Sequence, residues 1–229
     1  MKNILLIGGS YGIGQSIITT LKDTHHLFVA SRTNENLHHK NITHIPFDVT
    51  VNELDVDILP KKLDGFVYCP GSINLKPFKM MSLETIKDDM ELNFFALVKV
   101  MKHIVSRMNE QSSIVFFSTI AVGTGMPYHT SVAASKGALE GFAKSLAAEY
   151  APKIRVNVIA PSLVDTPLAK RLLNNDKKRA LMNERHPLNR IGNAEDIAET
   201  AIFLLSDKSA WMTGQIIGVD GGLSTLNIH

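Results

Sequence analysis

Short apolar runs alternate with longer amphipathic stretches along this chain. Seven of the runs predict β-strands, at Asn3–Ile7, His26–Ala30, Ile42–Phe47, Gly65–Cys69, Ser113–Ser118, Ile154–Ile159 and Ile216–Val219. Most are continuously apolar, which is typical of parallel strands that helices cover on both faces. The alternation therefore predicts an α/β fold with a doubly wound, Rossmann-type parallel sheet of about seven strands.

The stretches between the strands predict three long helices. Glu84–Arg107 has apolar side chains at three- and four-residue spacing, and Val132–Tyr150 is rich in alanine, a strong helix former. Ala194–Leu205 has two acidic residues in its first turn, which the helix dipole favours. The polar stretch Asn174–Arg185 is typical of a mobile flap, which we place around residues 165–190. No linker interrupts the chain, so one domain over residues 1–229 is expected.

Composition and charge argue against several classes of function. Lysine and arginine number 24 against 22 acidic residues, and the net charge of +2 does not indicate a nucleic-acid or membrane surface. Cys69 is the only cysteine, so no disulfide within the chain is expected. The first apolar run is too short for a signal peptide or a membrane span. A cytoplasmic protein is therefore expected.

The first apolar run leads directly into a glycine-rich turn. Residues 4–14 read ILLIGGSYGIG, and the spacing of Gly8, Gly12 and Gly14 allows a sharp backbone bend. A helix beginning there would present free amide groups to a pyrophosphate, and its dipole favours negative charge. A glycine cluster alone also fits an ordinary turn. The strand before it and the helix after it favour a nucleotide site.

The end of the second strand predicts which dinucleotide binds. This strand ends in Ser31 and Arg32 rather than in a carboxylate. Arginine pairs with a 2′-phosphate that a carboxylate would repel, so NADP(H) is favoured and NAD(H) is the alternative. Arg32 could equally be a solvated loop residue. Asp48, at the end of the third strand, could accept from the adenine amino group or cap a turn.

These motifs together resemble those of the short-chain dehydrogenase/reductase family over nearly the whole chain. The resembling residues are Gly8, Gly12, Gly14, Asp48, Val49, Gly71, Asn93, Lys136, the runs 154–161 and 165–167, the run 187–192, and the C-terminal segments 213–215 and 219–222. In the family, a threonine matching Thr166 contacts the cofactor. The segment after the fourth strand keeps only Gly71 of the family's usual Asn-Asn-Ala-Gly.

The resemblance implies a dinucleotide site along the carboxyl ends of the strands. Its expected members are Gly8, Ser10, Tyr11, Gly12, Ile13, Gly14, Ser31, Arg32, Asp48, Val49, Gly71, Lys136, Pro161, Val164 and Thr166. Relatives commonly form tetramers through their two long helices and C-terminal segment, so a homo-oligomer, either a tetramer or a dimer, is also expected.

The catalytic set departs from the family pattern. The family uses a serine, a tyrosine that gives a proton to the substrate oxygen, and a lysine that lowers the tyrosine pKa and holds the ribose. Lys136 is present, but Val132 occupies the tyrosine position and Thr119 the serine position. Valine has no proton to give, and such proton donation is worth ~10²–10⁴ in rate. Asn93 matches a residue that orders a water near the lysine, or it simply bonds its helix to a strand.

Three residues before Lys136 could replace the missing proton donor. His129 lies seven residues before the lysine, where bacterial enoyl reductases of this superfamily carry their tyrosine, and Tyr128 is its neighbour. Histidine titrates near neutrality and could also act as the acid. Tyr128 packed on its loop and His129 facing solvent form the alternative. Ser131 is a weaker candidate of the same kind.

The remaining chemistry-bearing residues have ordinary explanations. The nine histidines do not form a metal-binding pattern, so no metal site is predicted, and surface positions are expected. Cys69 is expected to be a small buried apolar residue rather than a nucleophile. Core packing is expected for Met80, Met81 and Met126, with a place in a substrate pocket as the alternative.

Two functions of different classes follow from the sequence. The first is an NADP(H)-dependent reductase of a small carbonyl or enone, with Lys136, Thr119, Asn93 and either Tyr128 or His129 as the catalytic set. Reduction of a conjugated C=C bond is favoured over reduction of an isolated ketone, because the enolate that forms needs stabilisation rather than immediate protonation. The second is an NADP(H)-binding sensor or partner-binding module without turnover.

Overall fold

The computed structural model describes residues 1–227, and its centre is a seven-stranded parallel sheet. The strands of this sheet are β1 Asn3–Ile7, β2 His26–Ser31, β3 Ile42–Pro46, β4 Leu63–Tyr68, β5 Met108–Phe117, β6 Ile154–Pro161 and β9 Ile216–Val219. A separate pair of two-residue strands is formed by β7 Val164–Asp165 and β8 Gly192–Asn193. The predicted fold class, a doubly wound parallel sheet, is confirmed.

Helices connect the strands and cover both faces of the sheet. They are α1 Gly12–Leu21, α2 Leu83–Met90, α3 Ala96–Ile104, α4 Ala121–Thr124, α5 Thr130–Tyr150, α6 Asp176–Glu184 and α7 Ala194–Leu205. The predicted helix over 84–107 is a composite, because a π-helical segment at Glu91–Phe95 joins α2 to α3 and a 3₁₀ turn ends it. None of the helices among the described residues is long and apolar enough to cross a bilayer.

The order of the strands fixes where a ligand can bind. The strand order is β3-β2-β1-β4-β5-β6-β9. The chain therefore adds β2 and β3 on one side of β1, and then crosses back to add β4 and the later strands on the other side. The connections that follow β1 and β4 run in opposite directions, which opens a crevice outside the carboxyl ends of these two strands. The loops at 8–11 and 69–72 lie at this point.

Two apolar layers hold the sheet between its helices. One cluster joins Leu5, Phe66 and Phe116 on one face of the sheet to apolar residues of α3 and α5. The other joins Ile4 and Leu6 on the opposite face to α1 and α7. Because neighbouring strand residues point to opposite faces and both faces are buried, the strands need to be apolar throughout.

Two sequence-based expectations need correction. The fifth strand begins at Met108, five residues before the predicted start, since its polar first half still pairs with β4 through Met108 and Leu63. The stretch Asn174–Arg185 is largely helical, with the Asn175 side chain accepting from the Lys178 amide at the start of α6. A polar composition thus hides a capped helix, while the mobility of this flap and the single-domain assignment stay predictions.

Candidate active site

One cavity of about 990 Å³ lies along the carboxyl ends of the strands. It is lined by the loops that follow β1, β2, β3, β4, β5 and β6, and by α5 and α6. Every residue that the sequence placed in the candidate site lines this cavity, except Asn93 and the weaker candidate Ser131. The fold therefore brings together positions that are up to 158 residues apart, from Gly8 to Thr166.

The turn between β1 and α1 needs glycine for two separate reasons. Gly8 and Gly12 have φ values of +75° and +60°, a region that side-chain-bearing residues rarely adopt. A Cβ on Gly14 would lie 2.8 Å from the Cα of Gly9, so backbone packs against backbone at this position. This seven-residue segment, residues 8–14, is called the phosphate turn below.

The phosphate turn leaves the amino end of α1 open toward the cavity. No side chain caps this end of the helix, because the N-cap residue Tyr11 makes no capping hydrogen bond. Free amide groups at a helix N-terminus attract anions. Ser10 is buried, and Thr166 lies 3.6 Å from the position of a Cβ on Gly12, which places it against the turn.

Polar groups crowd the end of the cavity beside β2 and β3. The Ser31 hydroxyl donates to the Thr33 carbonyl oxygen at 2.7 Å and lies 3.2 Å from His44 Nε2. Arg32 is exposed on the cavity wall, and no carboxylate pairs with it among residues 1–227. An arginine in this setting can bind a phosphate group without first leaving another partner.

Asp48 shares its carboxylate between a turn and the cavity. The Thr50 amide and hydroxyl donate to its Oδ1 at 3.0 and 2.7 Å, and these bonds hold the pKa of Asp48 below its ordinary value. Asp48 therefore makes the contacts of a turn residue, and its contact with the adenine amino group stays a prediction. Its Oδ2 accepts no hydrogen bond from residues 1–227, and Asp48 and Val49 both line the cavity.

Lys136 lies buried on α5 with its ammonium facing the cavity. Its side chain is 6% exposed, and its Nζ makes no hydrogen bond to any residue in the described part of the chain. Burial lowers the pKa of Lys136 to about 8. Nζ lies 3.5 Å from the position that a Cβ on Gly71 would take, so glycine keeps the space beside the amine open.

Asn93 lies behind the cavity wall rather than on it. This fully buried residue belongs to the π-helical segment, and its Nδ2 donates to Ser72 Oγ at 2.9 Å and to Ser135 Oγ at 3.1 Å. Its Oδ1 accepts from the Ser72 amide at 3.3 Å. The expected bond from helix to strand is instead a bond to the loop after β4 and to α5.

The candidate proton donors Tyr128 and His129 both lie on the cavity rim. Tyr128 is 57% exposed and has a φ of +70°, which costs a non-glycine residue roughly 1–2 kcal/mol. His129 Nδ1 lies 2.7 Å from the Pro127 carbonyl oxygen, so Nδ1 is its donor nitrogen. Thr119 also lines the cavity, and its Oγ1 accepts from the Ala121 amide at 3.3 Å.

Ser131 and Val132 have opposite placements. Val132 lines the cavity beside Lys136, one helical turn away on α5. Ser131 is 1% exposed and does not line the cavity, and its hydroxyl donates to the carboxylate of Asp89. Ser131 is therefore directed into a buried network, and the sequence analysis missed its partner.

The structure also reveals a serine–histidine pair that the sequence analysis missed. His186 is 2% exposed, its Nδ1 lies 2.7 Å from the Met182 carbonyl oxygen, and its Nε2 lies 2.9 Å from Ser162 Oγ. Both residues line the cavity. The expectation that the histidines lie on the surface is wrong for His186, because the chain after α6 folds back onto the end of β6. A serine directly after the sixth strand was the available signal.

The other chemistry-bearing residues are placed as follows. Burial raises the pKa of Cys69 to about 12, which agrees with a neutral packing residue. Met126 lines the cavity, Met81 is buried, and Met80 is 71% exposed, so the expected core packing is wrong for Met80. Within residues 1–227, no three His, Cys, Asp or Glu side chains form a group that could hold a metal ion.

Comparison with known proteins identifies relatives over the full length of the chain. L-xylulose reductase from Bos taurus is 30% identical over 234 residues, which cover 96% of each protein. The 3-oxoacyl-[acyl-carrier-protein] reductase FabG of Thermotoga maritima is 39% identical over 135 residues, 58% of this chain. The chain spans only 54% of that second relative's length in this match.

Solved structures agree with these relatives. A short chain dehydrogenase family protein from Francisella tularensis superimposes with a TM-score of 0.91 at 31% identity, covering 99% of this chain and 100% of the other. The structure of ElxO with NADP bound gives a TM-score of 0.85 at 27% identity over 99% of this chain and 100% of the other.

A family model matches most of the chain. The model described as enoyl-(acyl carrier protein) reductase matches residues 19–224, which begin near the end of α1 and include the lysine helix α5 and the segment around Thr166. The chain therefore belongs to the short-chain dehydrogenase/reductase family.

Proposed function

We propose that this protein is an NADP(H)-dependent oxidoreductase that transfers hydride to a small carbonyl or enone substrate. The observation that carries the proposal is the cavity itself. A glycine cradle at one end and the buried amine of Lys136 face the same space. Membership of the short-chain dehydrogenase/reductase family supports the same type of reaction.

The residues of the cavity suit a nicotinamide dinucleotide. Gly8, Gly12 and the open amino end of α1 would hold the pyrophosphate, and Lys136 would hold the ribose next to the nicotinamide. The remaining members of the cofactor site are the residues assigned from the sequence, all of which line the cavity. When bound, the cofactor supplies the hydride. The structural relative ElxO binds NADP, which supports this cofactor class.

Arg32 supports NADP(H) as the preferred form. It follows β2, it lines the cavity, and it forms no salt bridge among residues 1–227. A 2′-phosphate beside this guanidinium gains charge-assisted hydrogen bonds that a 2′-hydroxyl cannot match. NAD(H) is the alternative that the same cavity would admit without this contribution.

Proton transfer to the substrate oxygen falls to residues on the rim. Thr119 would donate a hydrogen bond to the substrate oxygen, and either Tyr128 or His129 would supply the proton. Because His129 Nδ1 donates to a carbonyl, its Nε2 carries a proton only when the ring is charged. A histidine donor would therefore have to carry protons on both ring nitrogens, whereas a tyrosine donor would give its hydroxyl proton.

The second candidate function is an NADP(H)-binding sensor or partner-binding module without turnover. The observation that favours it is Val132, an apolar side chain on the cavity wall one helical turn from Lys136. A site in which only hydrocarbon contacts the substrate oxygen would bind the dinucleotide and leave hydride transfer without an acid.

Oxidation of NADPH, followed by its absorbance, tests the proposal with a panel of aldehydes, ketones, quinones and enones. We expect turnover with at least one panel member, and a loss of ~10²–10⁴ in kcat for either Tyr128→Phe or His129→Ala. Tyr150→Phe and His103→Ala are the matched controls, because neither residue lines the cavity, and they should keep full activity.

Two outcomes would contradict parts of the proposal. Turnover that survives both Tyr128→Phe and His129→Ala would exclude the two proposed donors. Tight NADPH binding without turnover on any panel member would favour the sensor.

We also propose that the protein is a homo-oligomer in the cytoplasm. Trp211 is fully exposed, and Phe95 and Phe203 are 46% and 39% exposed, so large apolar side chains remain available on the surface. Light scattering of the purified protein would give the mass, and a monomer at micromolar concentration would contradict the assembly.

A further inference from the structure

Asp89 is a buried carboxylate that belongs to no salt bridge within residues 1–227. It lies near the end of α2, it is 1% exposed, and it accepts hydrogen bonds from three neutral side chains. Ser72 Oγ and Asn74 Nδ2 donate to its Oδ1 at 2.5 and 2.7 Å, and Ser131 Oγ donates to its Oδ2. Two hydroxyl groups and one amide group therefore converge on a single buried carboxylate.

The donors to Asp89 come from two segments that also form the cavity. Ser72 and Asn74 belong to the loop after β4, and Ser131 belongs to the first turn of α5, next to Val132. The carboxylate therefore joins α2 to the loop on one side of Lys136 and to the helix that carries Lys136. An amide has a single acceptor oxygen and its NH2 group cannot accept from Ser131, so the three donors match a carboxylate.

The network reaches the amine of Lys136 around Gly71. Asn93 Oδ1 and Lys136 Nζ lie 3.4 and 3.5 Å from the same point, the position of a Cβ on Gly71. Ser72, the next residue, donates to Asp89 and accepts from Asn93. The Ser72 hydroxyl group therefore links the Asp89 carboxylate to the loop that the Lys136 amine faces.

Two titratable groups in the described part of the chain act on the Lys136 ammonium from the surrounding elements. They are Cys69, after β4, and Asp89, on α2, and no titratable group of α5 itself is among them. Burial raises the pKa of Cys69 to about 12, so this thiol carries no charge at neutral pH. Asp89 is left as the source of negative charge that opposes the desolvation of the ammonium.

We propose that Asp89 is a positioning residue of this site, whose charge keeps the buried Lys136 amine protonated and whose three hydroxyl and amide donors fix that charge in place. The ionised carboxylate favours the ammonium through the low-dielectric interior without touching the cavity. The catalytic consequence rests on the proposed function, because it assumes that the ammonium binds the ribose. The electrostatic coupling itself does not.

The coupling can be measured without cofactor or substrate. Competitive acetylation with acetic anhydride, read by peptide mass spectrometry, reports the unprotonated fraction of each lysine as a function of pH. Lys144, exposed on the same helix, is the internal reference. In Asp89→Asn we expect the labelling of Lys136 relative to Lys144 to rise about threefold or more at neutral pH, because the midpoint of its titration moves down.

Two variants separate charge from structure. Asp88→Asn removes an exposed carboxylate one residue away on the same helix, and it should leave the labelling of Lys136 unchanged. Ser131→Ala removes one donor and keeps the charge, so it should lower the thermal midpoint without a comparable change in labelling.

An unchanged ratio of Lys136 to Lys144 labelling in folded Asp89→Asn would overturn the proposal. Asp89→Ser, which keeps a hydroxyl for the same donors, is the second neutral variant and should behave alike. Where turnover is measurable, the high-pH limb of kcat/KM should move down in Asp89→Asn and stay in place in Ser131→Ala. Labelling that shifts without any turnover in the wild-type protein would contradict the proposed function and leave the coupling established.

Discussion

The two ends of the cavity recognise their ligands by different means. At the phosphate turn the chain presents backbone, because glycines with positive φ and a close contact between Gly14 and Gly9 leave no room for side chains. At the end formed by Lys136, Thr119 and the residues before α5, the chemistry lies in side chains whose partners come from other elements. The first end depends on local sequence and the second on long-range packing.

The difference has a consequence for tolerance to change. In the phosphate turn, a side chain at Gly8 or Gly12 would strain the backbone, and one at Gly14 would clash with Gly9. The lysine end instead depends on Asp89, Ser131 and the pair Ser162–His186, whose contacts are made with other elements of the fold. Substitutions at the lysine end can therefore change its side-chain chemistry without straining the backbone of the turn.

Gly14→Ala should largely abolish NADPH binding at the phosphate turn. A Cβ there would meet the Cα of Gly9 at 2.8 Å, and backbone atoms cannot move aside as a flexible side chain would. Loss of two charge-assisted amide bonds to phosphate corresponds to about a thousandfold weaker NADPH binding. Gly141→Ala is the control and should bind NADPH normally. Gly141 is exposed on α5, and a Cβ there would meet no atom within 4 Å outside the neighbouring helix backbone. Fluorescence titration with NADPH measures both.

Lys136→Met should remove the contribution of the lysine end of the cavity to catalysis. We expect kcat/KM to fall about a hundredfold, because the charge at the ribose and beside the substrate oxygen is lost. The pKa of Lys136 is about 8 and its ammonium is the active form, so wild-type kcat/KM should decline above that pH. This limb should be absent in the variant. Lys144→Met, on an exposed position of the same helix, should show the wild-type profile.

Arg32→Ala should change cofactor preference and little else. We expect NADPH to bind about 30-fold more weakly, the value of one lost charge-assisted contact, while NADH affinity stays the same. The ratio of the two kcat/KM values is the measurement. Equal losses for both cofactors would show that Arg32 shapes the turn rather than reading the 2′-phosphate.

The same Lys136→Met variant should be more stable than the wild type at neutral pH. The folded-state pKa of about 8 lies below the ordinary 10.5, so the unfolded state binds more protons between these values. Wild-type stability should therefore rise as the pH increases through this window. We expect the variant to gain about 1 to 3 kcal/mol at neutral pH, with the gap closing toward pH 10.5, as urea unfolding would measure.

Ser162→Ala should have the smallest effect, about 1 kcal/mol of destabilisation. It removes the hydrogen bond to His186 Nε2 that joins the segment after α6 to the end of β6. Ser145→Ala, on an exposed position of α5, should be neutral within error. Chemical unfolding of both variants at neutral pH compares them directly. Equal stabilities of Ser162→Ala and Ser145→Ala would mean that the hydrogen bond between Ser162 and His186 does not stabilise the fold.

Much of the architecture could be predicted because it depends on local patterns. Continuous apolar runs gave the seven strands, and apolar spacing gave the helical region 84–107, since each pattern reflects burial on a fixed geometry. Alanine content and acidic first-turn residues gave the helices at 132–150 and 194–205. The fifth strand was shortened in the prediction because its polar first half is recognised only by its pairing with β4. Asp176–Glu184 was missed because its helix has no apolar stripe and depends on the Asn175 cap.

The candidate site divides along the same line. The glycines, Arg32, Asp48 and Lys136 could be found because each sits directly after a strand or within a motif. Asp89 and Ser131 could not, because they are 42 residues apart and meet only when α2 packs against α5. His186 was equally hidden, since no local pattern distinguishes a histidine that folds back onto β6.

The sequence by itself determined the order of strands and helices, the phosphate turn and the position of the lysine, because these follow from the preferences of neighbouring residues. The tertiary structure decided which hydroxyl groups face the cavity, which carboxylate lies behind the lysine, and that Ser131 serves the buried network. Burial and charge partners depend on segments far apart in the chain, and only packing brings those segments within hydrogen-bonding distance.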